Sequence, residues 1–208
     1  MTILYSHLIC PKSRFISIIL RETEIEFVKE KIEYWKERKK IESIDPLGEI
    51  PILKTNSNHV LSSVYAILEY VMDLSQNSHL IPEPLDERAE MRRIIYWILS
   101  RFEKEVTNYF LNEKFIRLTS LTGAPKTEFL RAARINLYHH TTYFQELMSR
   151  NGFLSSKNLS FADLLLASEI SVLDYFGEVN WDKLKWLKEW YAPIKSRPSI
   201  WEVLSDRL

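Results

Sequence analysis

The sequence predicts an α/β half joined to an all-α half, and three observations carry that prediction. Strand-like and helix-like patterns alternate from Thr2 to Leu74. The stretch Asp45-Pro46-Leu47-Gly48-Glu49-Ile50-Pro51-Ile52-Leu53 concentrates two prolines and a glycine in a turn that runs straight into an apolar segment. From Asp86 onward the apolar residues keep helical spacing, broken only by loop residues.

In chain order, Thr2–Tyr5 reads as a short apolar strand. Pro11 opens a helix, because a proline at the first helical position lacks only an N–H that would have no partner there. Phe15, Ile18 and Ile19 give that helix a buried side. Ile25–Ile32 reads as a second strand, and Tyr34–Ser43 as a basic, solvated helix or irregular segment. The strand Ile50–Lys54 begins at Pro51, where a missing N–H takes nothing from a ladder. Only X–Pro bonds adopt cis at modest cost, so Ile50–Pro51 is a candidate cis peptide. Asn56-Ser57-Asn58 is turn chemistry, which pairs His59–Leu61 back as a hairpin. Ser63–Leu74 is a helix with Ile67, Leu68 and Val71 on one face.

The order βαβ, then α, then ββα requires a parallel crossover and a terminal antiparallel strand. That is a thioredoxin-like layout. Ser75–Leu85 carries Pro82, Pro84 and no periodicity, so the boundaries expected are 1–76 for this domain, 77–86 for a linker and 87–208 for a helical domain. Helices are expected over Glu87–Leu118, Thr127–Arg150, Phe161–Tyr175, Leu184–Ser196 and Ser199–Asp206, separated by Gly123-Ala124-Pro125, Asn151-Gly152 and Arg197-Pro198.

The 208 residues hold 28 Lys+Arg and 28 Asp+Glu, so no global field steers the chain toward nucleic acid or an anionic membrane. Cys10 is the one cysteine, so no intramolecular disulfide can form. That suits a reducing compartment. The start has no basic segment followed by a long apolar run, so no signal peptide is expected. No stretch approaches the length of a membrane span. The expectation is a cytoplasmic protein.

Cys10-Pro11-Lys12-Ser13 lies where a strand meets a helix N-terminus. Orphan N–H groups and the positive end of the helix dipole favour thiolate there. With Ser13 in place of a second cysteine, such chemistry would be monothiol. The alternative is a cysteine that only packs. Tyr5, Ser6 and His7 share the same loop, and Ser13 is the better placed hydroxyl. Ser62 and Ser63 stand before a helix, where either would serve as an N-cap. Ser160 with Asp163 before an apolar run reads as a capping box. His139 and His140 project about 100° apart on a helix, so no metal site is expected. Arg88, Arg92, Arg93, Arg101 and Lys104 alternate with glutamates, which reads as a solvated face of i,i+4 pairs. Trp181, Trp186, Trp190 and Trp201 read as packing residues.

Three ordered motifs then carry a family likeness across nearly the whole chain. They are Asp45–Pro51, Leu61-Ser62-Ser63-Val64-Tyr65-Ala66-Ile67, and Leu159-Ser160-Phe161-Ala162-Asp163. Together they resemble the cytosolic glutathione S-transferase superfamily. A narrower string is similar to the FtsZ-localised protein A family of alphaproteobacteria: Glu105-Val106-Thr107, Gly123-Ala124-Pro125, Arg134-Ile135-Asn136-Leu137-Tyr138-His139-His140, Ser171–Gly177 with Trp181-Asp182, and Ile194–Ser199. The narrower likeness implies a homodimer that binds filaments of the division protein FtsZ and need not bind glutathione. FtsZ-type partners are acidic, so the basic helical face would then serve encounter.

The wider likeness implies a glutathione site, and with it a glutathione transferase or thiol transferase using Cys10 or Ser13. Ile50, before Pro51, would offer its backbone to the cysteinyl part of the tripeptide. An acidic residue followed by a serine would hold the γ-glutamyl end, at Ser62 and Ser63. Ser62 departs from that pattern and removes the charge-assisted bond to the ligand ammonium.

Overall fold

In the computed structural model, which describes residues 1–75 and 79–205, strand β1 (Ile3–Ser6) is the axis of the first of two units. It is followed by α1 (Pro11–Glu22), β2 (Val28–Lys31), α2 (Arg38–Ile44), β3 (Ile52–Lys54), β4 (Val60–Ser62) and α3 (Val64–Leu74). The sheet order is β2-β1-β3-β4. β1 pairs parallel with β2, Ile3 opposite Val28, and antiparallel with β3, Tyr5 opposite Ile52. β3 and β4 form the hairpin, Ile52 opposite Ser62. This is the thioredoxin-like arrangement, with one parallel crossover and an antiparallel addition.

α1 is buried almost all round, with Phe15, Ile16, Ile18, Ile19 and Leu20 shut off from solvent. It can be so apolar because α3 and a later helix both pack against it. Its C-terminal end explains why β2 is shorter than the expected Ile25–Ile32. The amide of Ile25 donates to the carbonyl of Leu20 at 2.8 Å, and Thr23 donates to Ile19 at 3.0 Å. These amides close the helix and are spent before the ladder begins. The basic segment resolves as α2, its one fully buried side chain being Ile41.

The second unit spans His79–Ser196. α4 (Leu85–Trp97) begins directly after Pro84. The long helix expected here does not stay α-helical. Ile98–Thr107 and Asn112–Ile116 are π-helical, separated by α5 (Asn108–Leu111) and followed by α6 (Arg117–Thr119). The cause is readable in burial. Ile98, Phe102, Val106 and Phe110 are all buried, as are Leu99, Glu103, Thr107 and Leu111. That is a four-residue repeat. On an α-helix it would drift by about 40° per step, or about 120° from Ile98 to Phe110. π turns drift in the opposite sense, so the alternation of π and α stretches holds the two rows toward the core.

α7 (Thr127–Asn151) packs along this segment. Its last turn closes with the Gly152 amide donating to Met148 at 2.7 Å, and the φ of +92° at Gly152 then turns the chain out of the helix. α8 (Phe161–Tyr175) is the buried centre of the unit. Its capping box is formed as expected: Asp163 accepts from the Ser160 amide at 3.0 Å, from the Ser160 hydroxyl at 2.8 Å and from the Leu154 amide at 3.1 Å. Burial pushes the Asp163 carboxyl up to about 6. α9 (Lys185–Lys195) completes the unit.

The last helix, α10 (Pro198–Ser205), clusters with the first unit and packs on α1. The Glu22 carboxylate receives both Arg197 nitrogens at 2.8 and 2.6 Å and the Ser199 hydroxyl at 2.5 Å. Ile200 and Val203 take the buried face. Trp201 was expected to pack, but one residue round the helix from Ile200 it points to solvent. Trp181 and Trp190 do pack: Trp181 stacks on Tyr191 at 5.7 Å and Trp190 donates to Asp163 at 3.4 Å. Among the described residues no helix is long and apolar enough to cross a membrane.

Candidate functional site

The candidate site lies where β1 hands over to α1. Cys10 is the N-cap residue of α1, in extended conformation, with Pro11 as the first helical residue. Its amide donates to the His7 carbonyl and its own carbonyl accepts from Arg14, both at 3.0 Å. The preceding loop is stapled to the first helical turn from two sides. The His7 amide donates to Ser13 Oγ at 3.4 Å, and Arg14 Nε donates to the Leu8 carbonyl at 2.6 Å. Ser13 is therefore buried as an acceptor for the loop backbone.

Across from the helix tip, the Ile50–Pro51 peptide is cis. Cys10 and Ile50 belong to one cluster with Ile32, Ile41 and Ile52, against which Tyr5, Tyr34 and Ile44 pack. Lys12 Nζ lies 3.8 Å from Glu49 Oε2 on the loop before the proline. The structure thus brings Cys10 to Ile50 beside the cis Pro51, while Ser13 is engaged by the loop backbone at His7. It also closes that place: Cys10 is 5% exposed. So buried a thiol meets an external electrophile only when the cluster opens.

Ser62 ends β4 opposite Ile52, half-buried. Ser63 occupies the N-cap position of α3, but its hydroxyl makes no capping bond. The N-cap role read from sequence is therefore not performed by Ser63's side chain. Its φ of +74° and ψ of 128° lie outside the extended region from which a capping hydroxyl reaches the helix amides. Only its carbonyl serves the helix, accepting from Ile67 at 3.1 Å. The first helical side chain is Val64, buried and apolar. This helix start offers an anion amides and a valine, with no acid at Ser62 or Ser63 to meet an ammonium.

His7 is the residue that the sequence reading left among loop positions. It is 3% exposed, edge-on to Trp35 at 4.8 Å and to Tyr34 at 6.4 Å. Its Nδ1 accepts from the Ile9 amide at 3.2 Å. Burial, then Lys31, drive its pKa down to about 4, with Arg14 adding slightly and Glu33 opposing. It is neutral at pH 7 and holds the turn ahead of Cys10.

In the second unit a polar chain crosses from α4 to α7. Trp97 Nε1 donates to His140 Nδ1 at 3.1 Å, and His140 Nε2 meets Glu105 Oε2 at 3.0 Å. That bonding fixes the proton on Nε2. Arg101 pairs with Glu105 at 2.5 Å and Arg93 with Glu90, so the mixed-charge face is laced as its sequence implied. Among the described residues no group of three or more His, Cys, Asp or Glu side chains is placed to hold a metal ion.

A two-unit chain with a cis-proline loop against the first helix, followed by a helical unit whose buried central helix starts at a capping box, is the architecture of the glutathione S-transferase family, and this chain belongs to it. Residues 4–79 match the family's N-terminal domain and residues 122–207 its C-terminal domain. It is 34% identical over 200 residues to FtsZ-localized protein A of Caulobacter vibrioides, covering 95% of this chain and 88% of that protein. The structure of FzlA from C. crescentus superposes with a TM-score of 0.94 at 33% identity, covering 100% of this chain and 93% of that one. A glutathione S-transferase from Rhodospirillum rubrum F11 gives 0.95 at 32% identity, covering 100% and 94%. A transferase homologue from Sulfitobacter with bound glutathione gives 0.78 at 17% identity, covering 98% and 96%, a likeness of fold alone.

Proposed function

We propose that the chain is a division-associated, homodimeric, cytoplasmic protein that binds FtsZ filaments and has weak or no glutathione chemistry. The observation that carries this reading is the similarity to FtsZ-localized protein A over 95% of the chain. The geometry supports it from the other side. Cys10 is enclosed, Ser13 is engaged by the loop backbone, and the start of α3 presents Ser63 and Val64 without an acid.

Co-sedimentation with FtsZ polymers of the same organism tests the reading. Enrichment in the pellet at micromolar concentration is expected, and its absence overturns the proposal.

A second reading is favoured by the Cys10–Ile50 juxtaposition beside the cis proline. It is a glutathione-dependent thiol transferase with Cys10 as monothiol nucleophile and Ser13 as its neighbouring hydroxyl. Ile50, Pro51, Ser62 and Ser63 would grip the tripeptide. Calorimetry with millimolar glutathione, and turnover of Cys10→Ala, decide it. No heat of binding, or unchanged turnover in the variant, removes it.

A further inference from the structure

We propose that His140 is an acid-released latch: its neutral imidazole bridges Trp97 to Glu105 and so holds the π-helical stretch Ile98–Thr107 against α7. The latch does not depend on what the chain binds. Trp97 is the last residue of α4, and Glu105 lies near the far end of the stretch. One side chain of α7 thus reaches both ends. Trp97 Nε1 is 3.1 Å from His140 Nδ1, and Glu105 Oε2 is 3.0 Å from His140 Nε2. Asn136, one turn away on α7, donates to the Glu105 carbonyl at 3.0 Å.

The stretch needs holding. Ser100 Oγ and Thr107 Oγ1 are buried without a hydrogen-bond partner among the described residues. In an α-helix a serine or threonine hydroxyl can reach the carbonyl four residues back. A π register that leaves two hydroxyls unmet costs free energy, and bonds from outside the stretch must offset it.

The two halves of the bridge respond to a proton in opposite senses. An indole nitrogen only donates, so Nδ1 is the acceptor there and its lone pair is spent. A proton taken from solvent onto Nδ1 sets two N–H donors against each other and expels the indole. The same proton makes the ring cationic and tightens its bond to the Glu105 carboxylate. The start of the stretch is let go while its far end stays bound. From Trp97 the change passes outward. Its ring packs on Tyr143 at 4.8 Å, and the Tyr143 hydroxyl accepts from Arg93 at 2.7 Å. Arg93 also holds Glu90. Release of a buried ring thus reaches an exposed ion pair on α4.

The surroundings keep the latch shut near neutrality. The ring is 1% exposed, edge-on to Phe102 at 5.5 Å and stacked toward Phe144 at 6.4 Å. The charged groups facing it are Glu105 and Arg101 from the stretch and His139 from its own helix. Burial lowers the His140 pKa from 6.5 against the opposing pull of Glu105, with His139 and Arg101 adding to the fall. The bridge is therefore complete above pH 6.5 and is lost as pH falls through the lowered value.

Nuclear magnetic resonance of the full chain tests the latch, following His140 Cε1–H, the Trp97 indole N–H and the amide protection of Ile98–Phe102 as pH falls from neutrality. The two side-chain signals should move with one midpoint, and protection should drop about tenfold across it. In His140→Asn an amide oxygen takes the place of Nδ1 without titrating, so the Trp97 signal should stay flat. Trp97→Phe frees Nδ1, so His140 should bind its proton about tenfold more tightly, since a bond lost on protonation no longer opposes it. Separate midpoints for the two side chains overturn the latch, as does a Trp97 signal that still titrates in His140→Asn. An unchanged His140 midpoint in Trp97→Phe, or a ring that stays neutral until the whole chain unfolds, overturns it equally.

Discussion

Acidification tests the packing of His7 directly. The ring is 3% exposed, and its pKa is drawn from 6.5 to about 4 by burial first and Lys31 second, with Arg14 adding to and Glu33 opposing the shift. The unfolded chain therefore takes the proton before the folded one. The stabilisation is complete above pH 6.5 and is lost as pH falls from there to about 4. At 1.36 kcal/mol per pH unit, that window is worth about 3 kcal/mol. Asp163 moves the other way: its pKa is raised from 3.8 to about 6, so the folded chain holds that proton more tightly and gains stability as pH falls through the same range. The two trends offset each other in the unmodified protein, and a bare pH profile would hide both. His7→Asn separates them, because an asparagine oxygen can accept the Ile9 amide in place of Nδ1 without titrating. Chemical unfolding of both chains from about pH 7.5 to about pH 4.5 should show the unmodified chain's advantage over His7→Asn shrinking by about 2–3 kcal/mol. An advantage that stays constant across the range refutes the account of His7 as a buried neutral group.

Four further expectations follow from the same geometry. Ser63→Gly relieves a positive φ at a hydroxyl that caps nothing, so urea unfolding should show a gain of up to about 1 kcal/mol. Glu22→Ala removes the carboxylate that holds Arg197 and Ser199. It should lose about 2–3 kcal/mol, and amide exchange over Pro198–Ser205 should accelerate before that of α1. Trp97→Phe leaves His140 Nδ1 without its donor, which should lower stability by about 1–3 kcal/mol by calorimetry, with the loss recovered in part by pairing it with His140→Phe. Cys10 should react with Ellman's reagent at least about tenfold faster after unfolding than before; equal rates would mean that the apolar cluster does not shield the thiol.

Much of the first unit was legible because its signals are local. Pro11 marked the start of α1, the Asn56–Asn58 turn marked the hairpin, and Pro51 at a strand start marked the bond that proves to be cis. The convergence of Cys10 with the proline loop followed from topology once that layout was recognised. What stayed hidden depends on contacts made elsewhere in the chain. β2 is short because Ile25 is taken by the end of α1, an outcome decided by Leu20 rather than by strand propensity. Ser63 reads as a cap in sequence, and only its backbone angles show that it is not one. The π-helical stretch did leave a trace, in the apolar row Ile98, Phe102, Val106 and Phe110 four residues apart, but that row also satisfies a loose helical pattern, so the type of helix went unread. His7 gave no sign, since a histidine in a loop looks the same whether it is solvated or enclosed by Tyr34 and Trp35.

The attachment of α10 to α1 carries a consequence for how the protein is made. α1 leaves the ribosome well before the side chains that cover it, Ile200 and Val203, because the whole helical unit lies between them in sequence. Until they emerge, the nascent first unit shows an uncovered apolar stripe and a carboxylate at Glu22 still waiting for Arg197 and Ser199. Translation of the entire intervening helical unit must come between.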